Sequence, residues 1–367
     1  MWLPRRRVSG NSNTRPSPEG HDRLFLKSSR PYAALVEGGG NWLYDGDDED
    51  TGHHRGNAGA CVRAGAQLRR WIRSIVRSAD GSAAPNGPPR LNIDDKTWFE
   101  LQFKPDEALQ RFGLVLPTLP PDEVQQGFTG ICGRPNLQQA FSFYQYVCVA
   151  CRLADIREPR ILDFGAGWGR IARFFLRDTK PEHLVATDCM SEAVRWLRAT
   201  RNPCRIIKNE PRPPIEGLDE PIDLIYAFSV FSHLSEDYLN AWITYLMGRL
   251  RRGGYLVFTT RGRQFIAHLE KLHRWLRRRP PKSVREYQTR LREQLPPPKQ
   301  VRRRYMNGEF QFYPIGGAGE LTSDFFGEAL IPRSYLERVY GSAMVAFTDQ
   351  VPHVDQSVVI LRKAPAA

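Results

Sequence analysis

Arg160-Ile161-Leu162-Asp163-Phe164-Gly165-Ala166-Gly167-Trp168-Gly169-Arg170 decides how this chain is read. A short apolar run ends at an acidic residue, three glycines alternate with other residues, and a helix-like segment follows. Such a stretch predicts a tight strand-to-helix turn whose backbone a ligand can approach closely. It points to a nucleotide-like ligand. A dinucleotide-binding turn uses Gly-x-Gly-x-x-Gly, whose third glycine allows close helix packing beneath a pyrophosphate. Here the pattern is Gly165-x-Gly167-x-Gly169, with Asp163 two residues before the first glycine.

Outward from this turn, strands and helices alternate, which predicts an α/β fold with a parallel sheet flanked by helices. Strands are expected over 160–164, 183–187, 204–208, 222–228 and 255–260. Helices are expected over 170–177, 191–200 and 237–250, the last closed by Gly253-Gly254. A final helix over 334–340 precedes two strands, 343–348 and 357–361, that suit an antiparallel hairpin. Upstream, 96–103 and 138–152 read as helices separated by a Pro-rich connector at 116–121. Residues 1–90 are rich in Gly, Ser, Pro, Asn and Asp, and predict a disordered extension with one short basic helix near 67–76. The domains expected are therefore this extension, a helical addition over 91–157, and a ligand-binding domain over 158–363.

In open parallel sheets, ligands bind beyond the carboxyl ends of the strands. The residues just after each strand are therefore the candidates. The first strand supplies Asp163 and the turn Gly165, Ala166, Gly167, Gly169 and Arg170. The second supplies Asp188 and Cys189, and a carboxylate there can accept both hydroxyls of a ribose. The third supplies Asn209 and Glu210, and an Asn amide offers both a donor and an acceptor to an adenine edge. The fourth supplies Ser229 to His233. Singly these residues have plainer roles: Asp188 as a helix cap, Asn209 in a turn, His233 as a structural histidine. Together they suit one adenosine-containing ligand. An NAD-binding sheet would show the longer glycine spacing and a second βαβαβ half, and neither is evident.

The glycine turn resembles motif I of the class I S-adenosylmethionine (SAM)-dependent methyltransferases. Ser229-Val230-Phe231-Ser232-His233-Leu234-Ser235-Glu236 resembles the strand-four signature of a bacterial methyltransferase-domain group. Similar too are Gly253-Gly254 before strand five, the segment 319–332 and the final strand over 355–363. The resemblance spans roughly residues 125–363. One departure is Arg252, where many relatives carry Pro before the paired glycines. The resemblance implies a Rossmann-like class I methyltransferase sheet with an antiparallel C-terminal hairpin, and SAM as cofactor. It implies that Asp163, Gly165, Ala166, Gly167, Gly169, Arg170, Asp188, Cys189, Asn209 and Ser229 hold that cofactor. His233, beside the expected methyl position and titrating near neutrality, is the candidate base for a hydroxyl acceptor.

The 367 residues carry a net charge of +13, and residues 264–304 hold thirteen Lys or Arg against three acids. That segment predicts a basic helical insertion between strand five and the last helix. Its charge suits a solvated face or a polyanion such as nucleic acid, but no nucleic-acid-binding module is recognisable in it. Tyr305, Phe310, Phe312 and Tyr313 read as packing for the insertion or as a lid. Cys148 and Cys151 form one Cys-x-x-Cys without a second pair, so no metal site is expected and core packing is. The six cysteines form no disulfide framework, and a reducing, cytoplasmic setting is expected. No apolar run reaches the ~18 residues of a membrane span, and no secretory signal is expected at the start. The expected activity is methyl transfer to oxygen of a small molecule or of a glycan or lipid-linked acceptor, the glycan coming from the resemblance alone. Alternatives are an RNA or DNA methyltransferase and a SAM-binding partner protein without catalysis. Against the first, strand four lacks the Asn/Asp-Pro-Pro-Tyr/Phe motif of many amino-methylating enzymes.

Overall fold

The structure is a computed structural model that describes residues 90–275, 289, 291, 293–317 and 319–365. The disordered extension expected over 1–90, its short helix near 67–76 and the arginine run 277–279 lie outside the described residues, apart from Arg90. Seven strands form the central sheet. They are β1 (Ile161–Phe164), β2 (Leu184–Asp188), β3 (Arg205–Lys208), β4 (Ile222–Ala227), β5 (Leu250–Thr260), β8 (Met344–Thr348) and β9 (Ser357–Arg362). Their spatial order is β3-β2-β1-β4-β5-β9-β8. The first five run parallel, and β9 lies antiparallel to both β5 and β8. The order reverses between β1 and β4, which opens a crevice at their carboxyl ends.

The central strands read as apolar runs because both faces are covered. Every residue of β1, β2 and β4 is buried. One face packs under α4 (Gly133–Ala150) and α5 (Ala172–Phe175), where Phe143, Tyr144, Phe174 and Phe175 join one core with Leu184 and Leu224. The other packs under α7 (Glu236–Arg249), where Trp242, Ile243 and Leu246 meet Leu162, Ile225 and Leu256. A smaller cluster joins α8 (Arg263–Trp275) and α9 (Pro298–Met306) to the short hairpin β6 (Gln311–Tyr313) and β7 (Glu328–Leu330). The remaining helix of the sheet domain after β2 is α6 (Ser191–Ala199), and α10 (Arg333–Tyr340) precedes β8.

Two elements differ from expectation. The helix after the glycine turn is one turn long rather than spanning 170–177. Its flanks close into turns instead, with the Gly169 N–H on the Ala166 carbonyl and the Asp178 N–H on the Phe175 carbonyl. Strand β5 begins at Leu250, so Gly253-Gly254 lie within it and not in a preceding cap. Leu250 pairs with Ile222 and Tyr255 with Leu224, and the register shift between them absorbs the extra residues.

The segment 91–157 holds two more helices than expected. Besides α1 (Asp95–Leu101) and α4 it contains α2 (Pro105–Phe112) and α3 (Asp122–Thr129), which flank the Pro-rich connector. It is fastened to the sheet domain by three buried arginines spaced about one helical turn apart. Arg170 Nη1 donates to Asn136 Oδ1 at 2.8 Å and to Gln139 Oε1 at 2.7 Å. Arg173 donates to Gln102 Oε1 at 2.9 Å and to the Pro117 carbonyl at 2.6 Å. Arg177 reaches Asp95 Oδ1 at 2.8 Å, Tyr144 Oη at 2.9 Å and the Ile93 carbonyl at 3.2 Å. Burial pushes the Arg173 guanidinium down to about 9. These bonds therefore stand in place of the water each guanidinium has lost.

Candidate active site

A cavity opens at the carboxyl ends of β1 to β4. The glycine turn, Asp188–Met190, Asn209 and Phe228–Val230 line it from the sheet, and Gly127–Thr129 line it from the helical addition. The segment Ile315–Glu328, linking β6 to β7, lines the opposite side. Asp163, Gly165, Ala166, Gly167, Arg170, Asp188, Cys189, Asn209, Ser229 and His233 all line this one cavity. Gly169 does not. At φ +84°, a Cβ there would strike the side chains of Asn202 and Leu197, so this glycine serves the packing of the turn onto α6. Gly167, at φ +57°, presents an open face, since a Cβ would meet only Phe128 at 3.6 Å.

Asp188 ends β2 and organises the turn. Its Oδ2 accepts the Gly167 N–H and its Oδ1 the Met190 N–H, each at 2.9 Å. Carboxylate lone pairs remain beyond these bonds, and a ribose diol needs such acceptors. Burial pushes this carboxyl up to about 6, against the pull of the Met190, Gly167 and Cys189 N–H groups. Asp163 lies deeper; burial pushes it up to about 7, with the Tyr226 hydroxyl opposing. Asn209 is partly spent on its neighbours, its Oδ1 accepting from Thr187 at 2.6 Å and its Nδ2 donating to the Glu210 carbonyl at 2.7 Å. One lone pair and one hydrogen of the amide remain. Burial pushes the Cys189 thiol up to about 12, so it lines the cavity as a neutral group.

His233 is buried within this cavity wall and stacks on Phe326, ring centroids 5.0 Å apart. Its Nδ1 lies 2.7 Å from the Gly327 carbonyl. A carbonyl only accepts, so Nδ1 carries the proton and Nε2 is left as the basic nitrogen. Burial lowers the pKa of this imidazole, as does Arg261, while Glu328 and the Gly327 bond oppose them. Nε2 lies 3.3 Å from Ser229 Oγ. Ser229 itself holds φ +59°, uncommon for a residue with a side chain and frequent at functional sites.

Several lining residues were not among the candidates, although Leu321, Phe325 and Phe326 fall in the segment 319–332 that carries part of the resemblance. Phe128 and Thr129 come from the end of α3, far from any strand end. Leu321, Phe325 and Phe326 come from the segment after the aromatic cluster, where Gly316, Gly317 and Gly319 were the available sign of a covering loop. The aromatic cluster itself is packing: Tyr305 and Tyr313 lie in the α8–α9 cluster, and Phe310 rests on Tyr335. The covering segment is held at its far end by Glu320. That carboxylate accepts from the Ser191 N–H at 2.6 Å, from Ser191 Oγ at 2.7 Å and from Lys208 Nζ at 2.8 Å.

Residues 162–256 match the family model described as a methyltransferase domain. Over these residues the chain carries a methyltransferase domain. Its sheet is the Rossmann-like sheet of the class I methyltransferases, mostly parallel with an antiparallel edge. The chain is 27% identical over 163 residues to the biotin biosynthesis bifunctional protein BioCD of Bordetella avium, covering 43% of this chain and 34% of that protein. It is 27% identical over 117 residues to the malonyl-[acyl-carrier protein] O-methyltransferase of Bacteroides fragilis, covering 31% of this chain and 22% of that protein. The chain thus spans about a third or less of the length of these relatives. Among solved structures, the magnesium protoporphyrin IX methyltransferase of Synechocystis PCC 6803 aligns with a TM-score of 0.39 at 10% identity, covering 74% of this chain and all of that one.

The cavity fits the cofactor's chemistry. Asp188 offers carboxylate lone pairs to a diol, the Gly167 face is open to close approach, and the Asp163 carboxyl suits a positively charged group. Among the described residues no group of His, Cys, Asp and Glu is placed to hold a metal ion. No disulfide joins Cys148 to Cys151. No described helix is long and apolar enough to cross a membrane.

Proposed function

We propose that this protein transfers the methyl group of SAM to a hydroxyl oxygen of a small molecule with an apolar body. The observation that carries this reading is the tautomer of His233: its Nδ1 proton is committed to the Gly327 carbonyl, and Nε2 is the base on the cavity wall. Bound SAM supplies an activated methyl on its sulfonium. The chain's own residues then have three tasks. Asp188 and the Gly167 face would hold the cofactor, with Asp163, Ala166, Arg170, Cys189 and Asn209 around it. Phe128, Phe228, Ile315, Leu321 and Phe326 would seat the acceptor and exclude water. His233 Nε2 would take the hydroxyl proton as the new bond to oxygen forms.

An in-line arrangement of donor and acceptor supplies much of the rate, up to ~7–11 kcal/mol in favourable cases. A base on the hydroxyl adds ~10²–10⁴-fold. The apolar lining on the acceptor side favours a small molecule over a glycan, whose many hydroxyls would need polar partners there. The test is a screen with methyl-labelled SAM against phenolic and aliphatic hydroxy compounds, glycans and total RNA. Incorporation into a hydroxy compound is expected, reduced by about 10²–10⁴ in His233→Asn with SAM affinity retained. Incorporation into RNA or glycan alone would sink the proposed acceptor class. SAM binding without turnover on any acceptor would leave a binding protein.

A further inference from the structure

We infer that Ser229 and Gln356 are positioning residues for His233, and that they set which protonation state the base adopts before an acceptor arrives. The inference rests on the proposed role of His233. It begins with a closed set of hydrogen bonds reaching across the sheet from β4 to the start of β9.

The Ser229 N–H donates to Thr259 Oγ1 at 2.7 Å. The Thr259 hydroxyl therefore spends its own proton on Gln356 Oε1, 2.9 Å away. With Oε1 so engaged, the Gln356 amide points its Nε2 at Ser229 Oγ, 3.0 Å away, and donates to it. The serine hydroxyl thereby accepts from Gln356, and its one proton is left for His233 Nε2 at 3.3 Å. On the other side of the ring, Nδ1 donates to the Gly327 carbonyl at 2.7 Å. Each donor has one acceptor and each step follows from the chemistry of its groups. The direction of the whole chain is set by one backbone N–H at one end and one backbone carbonyl at the other.

The consequence lies in what this chain supports. A hydroxyl donating to Nε2 stabilises the neutral imidazole and opposes the imidazolium. The charged groups facing the ring are Glu328 on β7, whose Oε1 lies 3.8 Å from Nδ1, and Arg261 just after β5. Arg261 Nε holds the other Glu328 oxygen at 2.9 Å, so the pair is engaged with itself as well as with the histidine. Burial already disfavours the imidazolium, and the Ser229 proton adds to it by capping the Nε2 lone pair. An acceptor hydroxyl then takes the serine's place at Nε2, and its proton moves to that nitrogen while the methyl forms its bond to oxygen. The S–CH₃ bond breaks, the O–CH₃ bond forms, and the imidazolium passes its proton to solvent after product leaves.

The backbone at Ser229 supports the same reading. A residue with a side chain at φ +59° is retained at a cost that glycine would avoid, and here the side chain that imposes the cost is the one that reaches the base. Gln356 is buried and lies 127 residues away from Ser229, so packing of β9 against β5 is what delivers it.

The experiment is a titration of His233 by nitrogen-15 NMR in the full chain, without acceptor, in the parent, Gln356→Leu and Ser229→Gly. Glycine relieves the strained φ, so the second variant keeps the fold if the leucine does not. SAM affinity of each is measured by calorimetry alongside. The parent is expected to show a neutral Nδ1–H tautomer at pH 7. Both variants should titrate higher by about 0.4–1 pH unit, the equivalent of one neutral hydrogen bond. Gln356→Asn, a shorter amide, should fall between. An unchanged His233 titration and tautomer in both variants, with SAM still bound, overturns the inference and leaves the cofactor reading standing. Loss of SAM binding in the parent would instead remove the functional reading beneath it.

Discussion

The cavity has two walls built by different physics. The helical addition, α1 to α4, is joined to the sheet through Arg170, Arg173 and Arg177, all buried and each bonded to two or more groups. The opposite wall, the segment 315–327, is joined at its far end through the exposed Glu320 to Ser191 and Lys208. Breaking a buried charged contact leaves an unpaired, desolvated group, which costs several kcal/mol. Breaking an exposed ion pair costs about 0–1 kcal/mol, because water replaces the lost partner. One wall is therefore part of the fold. The other is packed at its base, where Phe325 and Phe326 are buried, the Ser235 N–H donates to the Phe325 carbonyl and the Gly327 N–H to the His233 carbonyl. Only its tip at Glu320 can release at little cost, and that tip would admit and release cofactor and acceptor.

The largest effect is expected from Arg177→Ala. It strips Asp95, Tyr144 and the Ile93 carbonyl of a common donor, and unfolding in denaturant should show a loss of about 3–5 kcal/mol. A loss under about 1 kcal/mol would show that the arginine row does not fasten the helical wall.

Next is Asp188→Ala, which removes both the proposed ribose acceptor and the carboxylate bonding the Gly167 and Met190 N–H groups. SAM affinity measured by calorimetry should weaken by about 1.5–3 kcal/mol. If affinity holds and only the melting temperature drops, Asp188 is a turn and helix-start residue alone.

The same carboxyl predicts a pH dependence. Its folded-state pKa is raised to about 6, above the ordinary aspartate value. In the free protein its contribution to stability is therefore present at acid pH and lost as pH rises towards 6 and above. The proposed ribose contact needs the carboxylate, so SAM affinity should fall as pH drops below about 6, approaching tenfold per pH unit. Affinity that stays flat between pH 7 and pH 5 would take Asp188 out of the cofactor contact.

The smallest effect on stability, and the sharpest test of the two-wall comparison, is Glu320→Gln. Stability should change by less than about 1 kcal/mol, while stopped-flow release of SAM should quicken severalfold. Unchanged release would mean that the Glu320 contacts do not hold the wall closed.

Much of this architecture is legible in the sequence. The strand alternation, the glycine turn, Asp188 after the second strand and His233 after the fourth are local features. A parallel strand buried on both faces must be continuously apolar, and its ligand groups must follow it directly in the chain. The turn after β1 shows the limit of that reasoning. Gly165, Gly167 and Gly169 look equivalent in sequence, yet Gly167 faces the cavity and Gly169 faces Asn202 and Leu197. The difference is which side of the turn each Cα presents, and only the packing of α6 decides it.

Sequence alone thus determined the sheet and the edge at which its candidate ligand groups fall, because periodicity and strand-end chemistry are short-range; the cofactor came from the resemblance of the glycine turn to motif I. Tertiary structure alone decided that Phe128 and Phe326 line one cavity and that Glu320 meets Ser191. It alone joined Gln356 to Ser229 and committed the His233 proton to Gly327. These contacts join residues far apart in the chain. No local pattern encodes them, because they arise from burying separate apolar faces against the same sheet and satisfying the polar groups enclosed there.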